Sequence, residues 1–338
     1  MQEHDEKWLE PLLRNYQIFP QRIKKKGNVY QIITRDYTYA LKGMKNRPRL
    51  DLMRLFQWLN IQGFFQHVSI LPDRYGRYYQ MVNGTIYYLM PWIQENEERR
   101  SNKHRKMFSE LAHLHLTTVK IIPVTDEMIQ SHYENVRTRW QREEEFLLRF
   151  LEQCERKVYM SPFEWRYVLY YHEIRSAYQF AYVSLESWQE ELLENKKART
   201  CMVHGNLHPD HYLIDKRGYG YFINFEKSRT ASPISDLLPY LARSLRTFPE
   251  PEGDEIAWLD AYQQTFQLTT AEKYLLQSYL AHPESIMNII QAYQNKRRNN
   301  HELEYTKKIE QFYWSLKNRE RFIRNMIEAS EEMERNEQ

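Results

Sequence analysis

Between about residues 18 and 94 apolar and polar positions alternate with the two-residue period of strands, interrupted by one stretch of longer period. "NVYQIITRDYTYALKGM" is rich in Val, Ile, Thr and Tyr on both sides of Arg35-Asp36, and predicts two β-runs joined by a turn. In "RPRLDLMRLFQWLNIQGF" the residues Leu52, Leu55, Phe56 and Leu59 recur at the spacing of one helix face, and Gly63 suits a C-terminal cap. "RYGRYYQMVNGTIYYLM" then reads as a meander, with Asn83-Gly84 the favoured dipeptide of a two-residue hairpin. Strand, strand, helix, strand, strand is the order of a small antiparallel sheet with one helix.

Beyond Trp92 the period lengthens. "FSELAHLHLTTV" and "EEEFLLRFLEQC" carry apolar residues at helical spacing, among them Phe146, Leu147, Phe150, Leu151 and Cys154. "EWRYVLYYHEIRSAYQFAYVSLESWQEELLE" predicts one long helix or a pair. Short strands follow near 203, 212 and 222, after which helices return, broken at "TFPEPEGD" and Pro283. The expected architecture is α+β and bilobal: a sheet N-lobe over residues 1–92 and a helical C-lobe over 93–338, joined through "LMPWIQENEE".

A chain of 338 residues exceeds the usual single-domain size, in keeping with two lobes. No apolar run approaches the twenty residues of a membrane span. The opening "MQEHDEKWLEPLL" carries acids where an export leader needs a basic start, so cytoplasmic synthesis is expected. Cys154 and Cys201 lack the spacing of a disulfide framework or a zinc site and read as buried small hydrophobes. The net charge of +3 is too modest for a nucleic-acid footprint, and the local runs Lys24-Lys25-Lys26 and Lys296-Arg297-Arg298 read as solvated turns or helix ends. The acidic tail Glu331 to Gln338 is expected to fray. With 26 tyrosines the chain is rich in amphipathic rings, read first as packing groups.

Two places carry candidate chemistry. Lys42 closes the strand "YALK" on the same face as Ala40, where a fixed ammonium suits phosphate binding, although a lone strand lysine is usually a surface residue. "HGNLHPDH" supplies His204, His208 and His211, but three histidines in one loop without a second cluster make a poor metal site. Their order along the chain says more. A strand lysine, one helix, a hinge, a helical lobe, a loop with polar residues at 206 and 211, and a hairpin strand ending at 224 is the layout of a phosphotransferase built in the kinase manner.

On these residues the chain resembles the aminoglycoside and choline phosphotransferase superfamily, and within it the spore coat proteins of the CotS family. The likeness spans about residues 25 to 320 and is strongest in "HGNLHPDHYLI", which aligns without a gap to a His-Gly-Asp-Leu-His-Pro-Gly-Asn pattern; "LAHLHLTT", "YYLMPWI", "FINFEKS" and "ISDLL" fall at the same relative places. The resemblance implies a protein-kinase-like fold with a nucleotide cleft at Ala40, Lys42, Met90 and Trp92. It also implies a series of losses. The family's general base falls on Asn206, whose amide cannot take a hydroxyl proton; such a loss alone costs on the order of 10² to 10⁴ in rate. The magnesium-binding Asn falls on His211, a poor ligand for a hard cation, and the principal magnesium carboxylate falls on Asn224.

No Glu occurs between Lys42 and Trp92, so the helix acid that pairs with the lysine is missing unless Asp51 serves. His204 and Asp236, the latter implied to brace the loop, are retained as structural residues. Glu226, two residues past Asn224 and so on the same strand face, and Asp210 are the carboxylates that a displaced metal site would use. The expected function is that of a catalytically inactive kinase-fold protein, a structural or assembly component of the bacterial spore coat. It would be made in the mother-cell cytoplasm and bind other coat proteins, with no nucleic acid, no membrane span and no cofactor. The alternatives are an active small-molecule or sugar kinase with a displaced metal site, using ATP and magnesium, or a nucleotide-binding switch without phosphotransfer. The family context also allows exposed tyrosines to be cross-linked.

Overall fold

The structure, a computed structural model, describes residues 8–45, 51–95, 100–246, 254–296 and 302–337. Residues 96–98 of the expected linker, 247–253 of the expected break, and Arg297 and Arg298 of the second basic run lie outside the described residues.

The first element is one that the alternation did not announce: a short helix α1 (Leu9–Asn15). It precedes β1 (Arg22–Lys26), β2 (Val29–Ile33), β3 (Thr38–Met44), helix α2 (Leu52–Ile61), β4 (Gln80–Val82) and β5 (Thr85–Pro91). The strands form one antiparallel sheet in the order β1-β2-β3-β5-β4. Its two faces differ sharply in chemistry. Leu9, Leu12 and Leu13 of α1 cluster with Tyr30, Ile32, Leu41 and Leu89, so α1 covers one face and leaves the residues of opposite parity pointing the other way. Lys24-Lys25-Lys26 is part of the edge strand β1, not a turn or helix end; at a sheet edge a lysine-rich, exposed strand discourages pairing with another chain.

Leu52, Leu55, Phe56 and Leu59 are all buried on α2. That helix ends as expected: Gly63 takes φ +87, and the amides of Gly63 and Phe64 return to the carbonyls of Asn60 and Leu59 at 3.1 and 2.9 Å. Asn83 and Gly84, with φ +49 and +75, turn β4 into β5.

The chain divides into two units: Met1–Thr118 with Met202–Thr230, and Val119–Cys201 with Ala231–Gln338. This differs from the expected boundary at residue 92. Helix α3 (Arg100–Thr118) and the later hairpin group with the sheet because main-chain and ring contacts tie them together. Phe222 N donates to Gln66 O at 2.9 Å, and Phe64 packs against both His113 and Phe222. A polarity pattern shows that residues near 222 form a strand but not which segment they join.

The second unit begins with β6 (Lys120–Pro123), antiparallel to the start of β7 (Lys197–Val203). Between them run α4 (Asp126–Glu155) and α5 (Pro162–Asn195), the latter one continuous helix. Ser161 and Glu164 form a reciprocal capping box with Pro162 in the first turn, which fixes where α5 begins. After the hairpin β8 (Tyr212–Ile214) and β9 (Gly220–Phe222) of the first unit comes β10 (Arg229–Ala231). Helices α6 (Ile234–Ser244), α7 (Glu255–Gln263), α8 (Thr270–Ala281), α9 (Ser285–Lys296) and α10 (Glu302–Glu337) complete the chain. The break at Pro283 falls between α8 and α9. The tail expected to fray from Glu331 is helical as far as Glu337, continuing α10, whose last turns include the i,i+4 pair Arg335 and Glu331. Among the described residues no helix is long and apolar enough to cross a membrane.

Candidate functional site

Alternation along β3 places Leu41 beneath α1 and Ala40 and Lys42 on the opposite face. Register then brings β5 alongside: Ala40 faces Met90, Lys42 faces Tyr88, and Trp92 N donates to Thr38 O at 3.0 Å. Ala40, Lys42, Met90 and Trp92, the four residues expected to form a nucleotide cleft, therefore share one sheet face. Lys26 extends across it, its Nζ 5.1 Å from the centroid of the Trp92 ring.

The Lys42 ammonium is not free. It donates to Asn224 Oδ1 and, at 2.5 Å, to Glu226 Oε1. The same Glu226 oxygen accepts from Tyr88 OH at 2.7 Å. The lysine and glutamate side chains are only 14% and 18% exposed, so the pair is largely removed from solvent screening. Burial pushes the Glu226 carboxyl up, but the Lys42 charge and the hydrogen bonds from Lys42 and Tyr88 outweigh it and hold Glu226 below the ordinary carboxylate range. Burial and the neighbouring carboxylate drive the Tyr88 phenol well above its usual value, which keeps it a donor.

Asn224 and Glu226 reach Lys42 by a route other than the expected one. β9 ends at Phe222, and Asn224 caps a 3-10 turn, Phe225–Lys227, with φ +69 and ψ +44. Asn is among the few residues besides Gly that adopt this left-handed conformation readily. The two side chains converge because of that turn, not because they lie on one face of a strand.

The polar loop after β7 is pinned to this segment. His204, fully buried, donates from Nε2 to Ile223 O at 2.8 Å, while Asn206 N donates to its Nδ1 at 3.3 Å. Ser228 Oγ donates to His204 O at 3.2 Å. Gly205 adopts φ +74 with the Lys227 carbonyl directly where a side chain would begin, so loop and turn touch backbone to backbone. His211 Nδ1 donates to the Asn206 carbonyl at 2.7 Å, and the Asn206 amide nitrogen lies 3.5 Å from the same ring atom. Burial, aided by the charges of His204, His208 and Lys42, lowers the His211 pKa and favours the neutral ring.

The structure thus assembles Lys42, Asn224 and Glu226 in one cluster, and Asn206, His211 and His204 in another within the same unit. Two expected participants stand apart. Asp210 is 85% exposed beside His208, whose Nδ1 lies 3.4 Å from its carboxylate. Asp51 caps α2, accepting from Met53 N at 3.0 Å and Tyr79 OH at 3.2 Å, and so is not the partner of Lys42. Asp236 belongs to the second unit, buried in the first turn of α6, where its charge helps raise the Cys201 thiol. The residue unforeseen in the sequence is Tyr88; its position opposite Lys42 follows from register, which alternation does not fix.

Magnesium, which the fold family implies, fits these residues poorly. Asn206 and Asn224 are neutral, His211 is a neutral imidazole hydrogen-bonded to a carbonyl, and the Glu226 carboxylate is bound by an ammonium. Among the described residues no group of three or more His, Cys, Asp or Glu is arranged to hold a metal ion.

Comparison with known proteins accords with this layout. Among solved structures, the aminoglycoside phosphotransferase of Alicyclobacillus acidocaldarius superposes with a TM-score of 0.71 at 16% identity, covering 95% of each chain. A microcompartment-associated aminopropanol kinase gives 0.53 at 12% identity over 95% of this chain and 98% of its own. An AMP complex of a spectinomycin phosphotransferase gives 0.51 at 13% identity over 93% and 97%. At such identities the likeness is one of fold. A search of curated proteins finds no match. The profile of the phosphotransferase enzyme family matches residues 27–276, most of the chain, and on that match the chain belongs to the phosphotransferase enzyme family.

Proposed function

We propose that this chain is a non-catalytic member of its family, a kinase-fold protein that works by binding. The observation that carries the reading is the closed cluster on Lys42. In phosphotransferases of this layout a strand lysine meets phosphate oxygens and a carboxylate holds magnesium against them. Here the lysine is neutralised within the protein by Glu226 and hydrogen-bonded to Asn224, and Asn206 offers no basic atom to an attacking hydroxyl. Phosphotransfer would require the nucleotide to break a largely buried ion pair and then proceed without a base at Asn206 or a carboxylate at Asn224. The similarity of "HGNLHPDHYLI" to the CotS family supports a structural or assembly role in the bacterial spore coat, with other coat proteins as partners.

A second reading, a nucleotide-binding switch without transfer, is favoured by one observation: Ala40, Lys42, Met90 and Trp92 share a sheet face. Calorimetric titration with ATP, with and without Mg²⁺, separates the readings. The non-catalytic binder takes up no ATP, and ATP uptake without phosphotransfer is the switch. Magnesium-dependent binding with phosphotransfer abolished by Glu226→Gln would instead install an active kinase with a displaced metal site. The coat role is tested by following a tagged protein through sporulation: recovery in the spore coat fraction supports it, and exclusive retention in the mother-cell cytoplasm refutes it.

A further inference from the structure

Arg319, on α10, is only 7% exposed. A buried guanidinium is normally paired, because stripping its hydration without a counter-charge costs several kcal/mol. Among the described residues no carboxylate pairs with this one: Nη1 reaches the carbonyls of Leu280 and His282 at a long 3.4 Å each, and Nε is buried without a partner. Burial pulls its pKa down to about 10, with Arg246 adding to the effect and Glu284 opposing it, so the group remains a cation at neutral pH.

Arg319 lines a cavity of about 360 Å³ between α5, α8 and α10, within the range of small-molecule sites. Its apolar walls are Ala177, Phe180, Ala281, Leu316, Ile323 and Ile327. The other charges lining it are already satisfied. Lys317 Nζ donates to Glu173 at 2.7 Å and to Glu320 at 2.9 Å, and Arg324 pairs with Glu320 at 3.0 Å. Arg319 remains the one buried charge of the lining without an ion-pair partner among the described residues.

We propose that this cavity binds a small amphipathic monocarboxylate, its head paired with the Arg319 guanidinium and its alkyl tail packed among Phe180, Leu316, Ile323 and Ile327. A guanidinium presents paired donors that match a carboxylate in shape as well as charge. The ligand is a monoanion because a single cation is unbalanced; a phosphate dianion or a polyanion would also meet the repulsion of Glu173 and Glu320, which are more exposed than Arg319 and stand further out. The tail is apolar because, beyond the charged residues, the lining is apolar except for the Ser176 hydroxyl. All of these residues belong to the second unit, and neither Lys42 nor the loop from His204 to His211 lines the cavity.

The test uses the full chain and three probes of equal tail length: octanoate, octan-1-ol and octyltrimethylammonium. Binding is read by calorimetry at pH 7.5, and the location by nuclear Overhauser contacts from the octanoate chain to the Ile323 and Ile327 methyls. Octanoate is expected to bind about ten- to a hundredfold more tightly than octan-1-ol, the ratio expected of hydrogen bonds to a charged group, with the cation not binding. Arg319→Met keeps length and apolar packing, and should bring octanoate down to the level of octan-1-ol. Should that variant fail to fold, Phe180→Glu, at a residue 37% exposed, is expected to weaken octanoate at least about tenfold by like-charge repulsion. Equal affinity for octanoate and octan-1-ol, binding unaffected by either substitution, contacts to other methyls, or no binding of octanoate would each overturn the proposal.

Discussion

Glu226 neutralises Lys42 and accepts from Tyr88 on the same oxygen. Glu226→Gln keeps the shape but leaves the Lys42 ammonium with only neutral acceptors in a largely buried place. The expected cost is roughly 1–3 kcal/mol in urea unfolding, the penalty of an under-satisfied charged group. Its pH dependence has a definite sign. The folded carboxyl sits below its ordinary value of 4.5, so the unfolded chain binds the proton more readily; the stabilisation is complete above that value and is lost as pH falls through the lowered folded one. The stability difference between the parent and Glu226→Gln is therefore expected to be flat from about pH 6 to 8 and to shrink only in acid. A difference that instead grew as the pH fell would show that the ion pair is not its source.

The elements that hold this residue in place differ in how far their sequences announce them. α2 was legible because its apolar spacing and Gly63 agree, and the β4–β5 hairpin because Asn83-Gly84 permits positive φ at both turn positions. α1 was not, because a helix of about two turns gives periodicity too little length to register, although Leu9, Leu12 and Leu13 are nearly inaccessible. The turn at Phe225–Lys227 was hidden for another reason: Asn224 reads as a strand residue unless its left-handed backbone is known. Close approach at this turn makes two glycines differ measurably. A Cβ at Gly84 meets open space and adds only the strain of a left-handed residue, about 1 kcal/mol. A Cβ at Gly205 carries the same strain and also overlaps the Lys227 carbonyl, so the loop and the turn must separate; Gly205→Ala is expected to cost about 3 kcal/mol or more. Equal urea midpoints for the two alanine variants would mean that loop and turn are not held backbone to backbone.

At the scale of the whole molecule, the kinase-like layout was readable from the order of its motifs, and the three altered positions from one ungapped stretch and a short strand. The partner of Lys42 was not, because it is 184 residues away in sequence and reaches the lysine through a turn. This pairing sets what restoring the lost residues would do. Asn206, His211 and Asn224 are all partly exposed, so Asn206→Asp, His211→Asn and Asn224→Asp together should be tolerated, each new polar group remaining solvated. An aspartate at 224 would add a second carboxylate at the Lys42 ammonium, and Mg²⁺ alone would have to compete with that ammonium for both. ATP changes the competition: its phosphates can take the lysine and release the carboxylates to the metal, so nucleotide and Mg²⁺ should bind the triple variant cooperatively although neither binds well alone. At a hundredfold excess over Kd the pair would stabilise the fold by about 2.7 kcal/mol, seen as a rise in Tm that the parent protein does not show. Turnover should not return with it, since groups that act as a unit are not restored singly, and Lys42 still lacks a helix acid to hold it when Glu226 turns to the metal. A triple variant with the Tm of the parent in ATP and Mg²⁺ would place the defect outside these three positions, whereas robust phosphotransfer to a sugar or amino-alcohol would mean that those three changes were the whole of it.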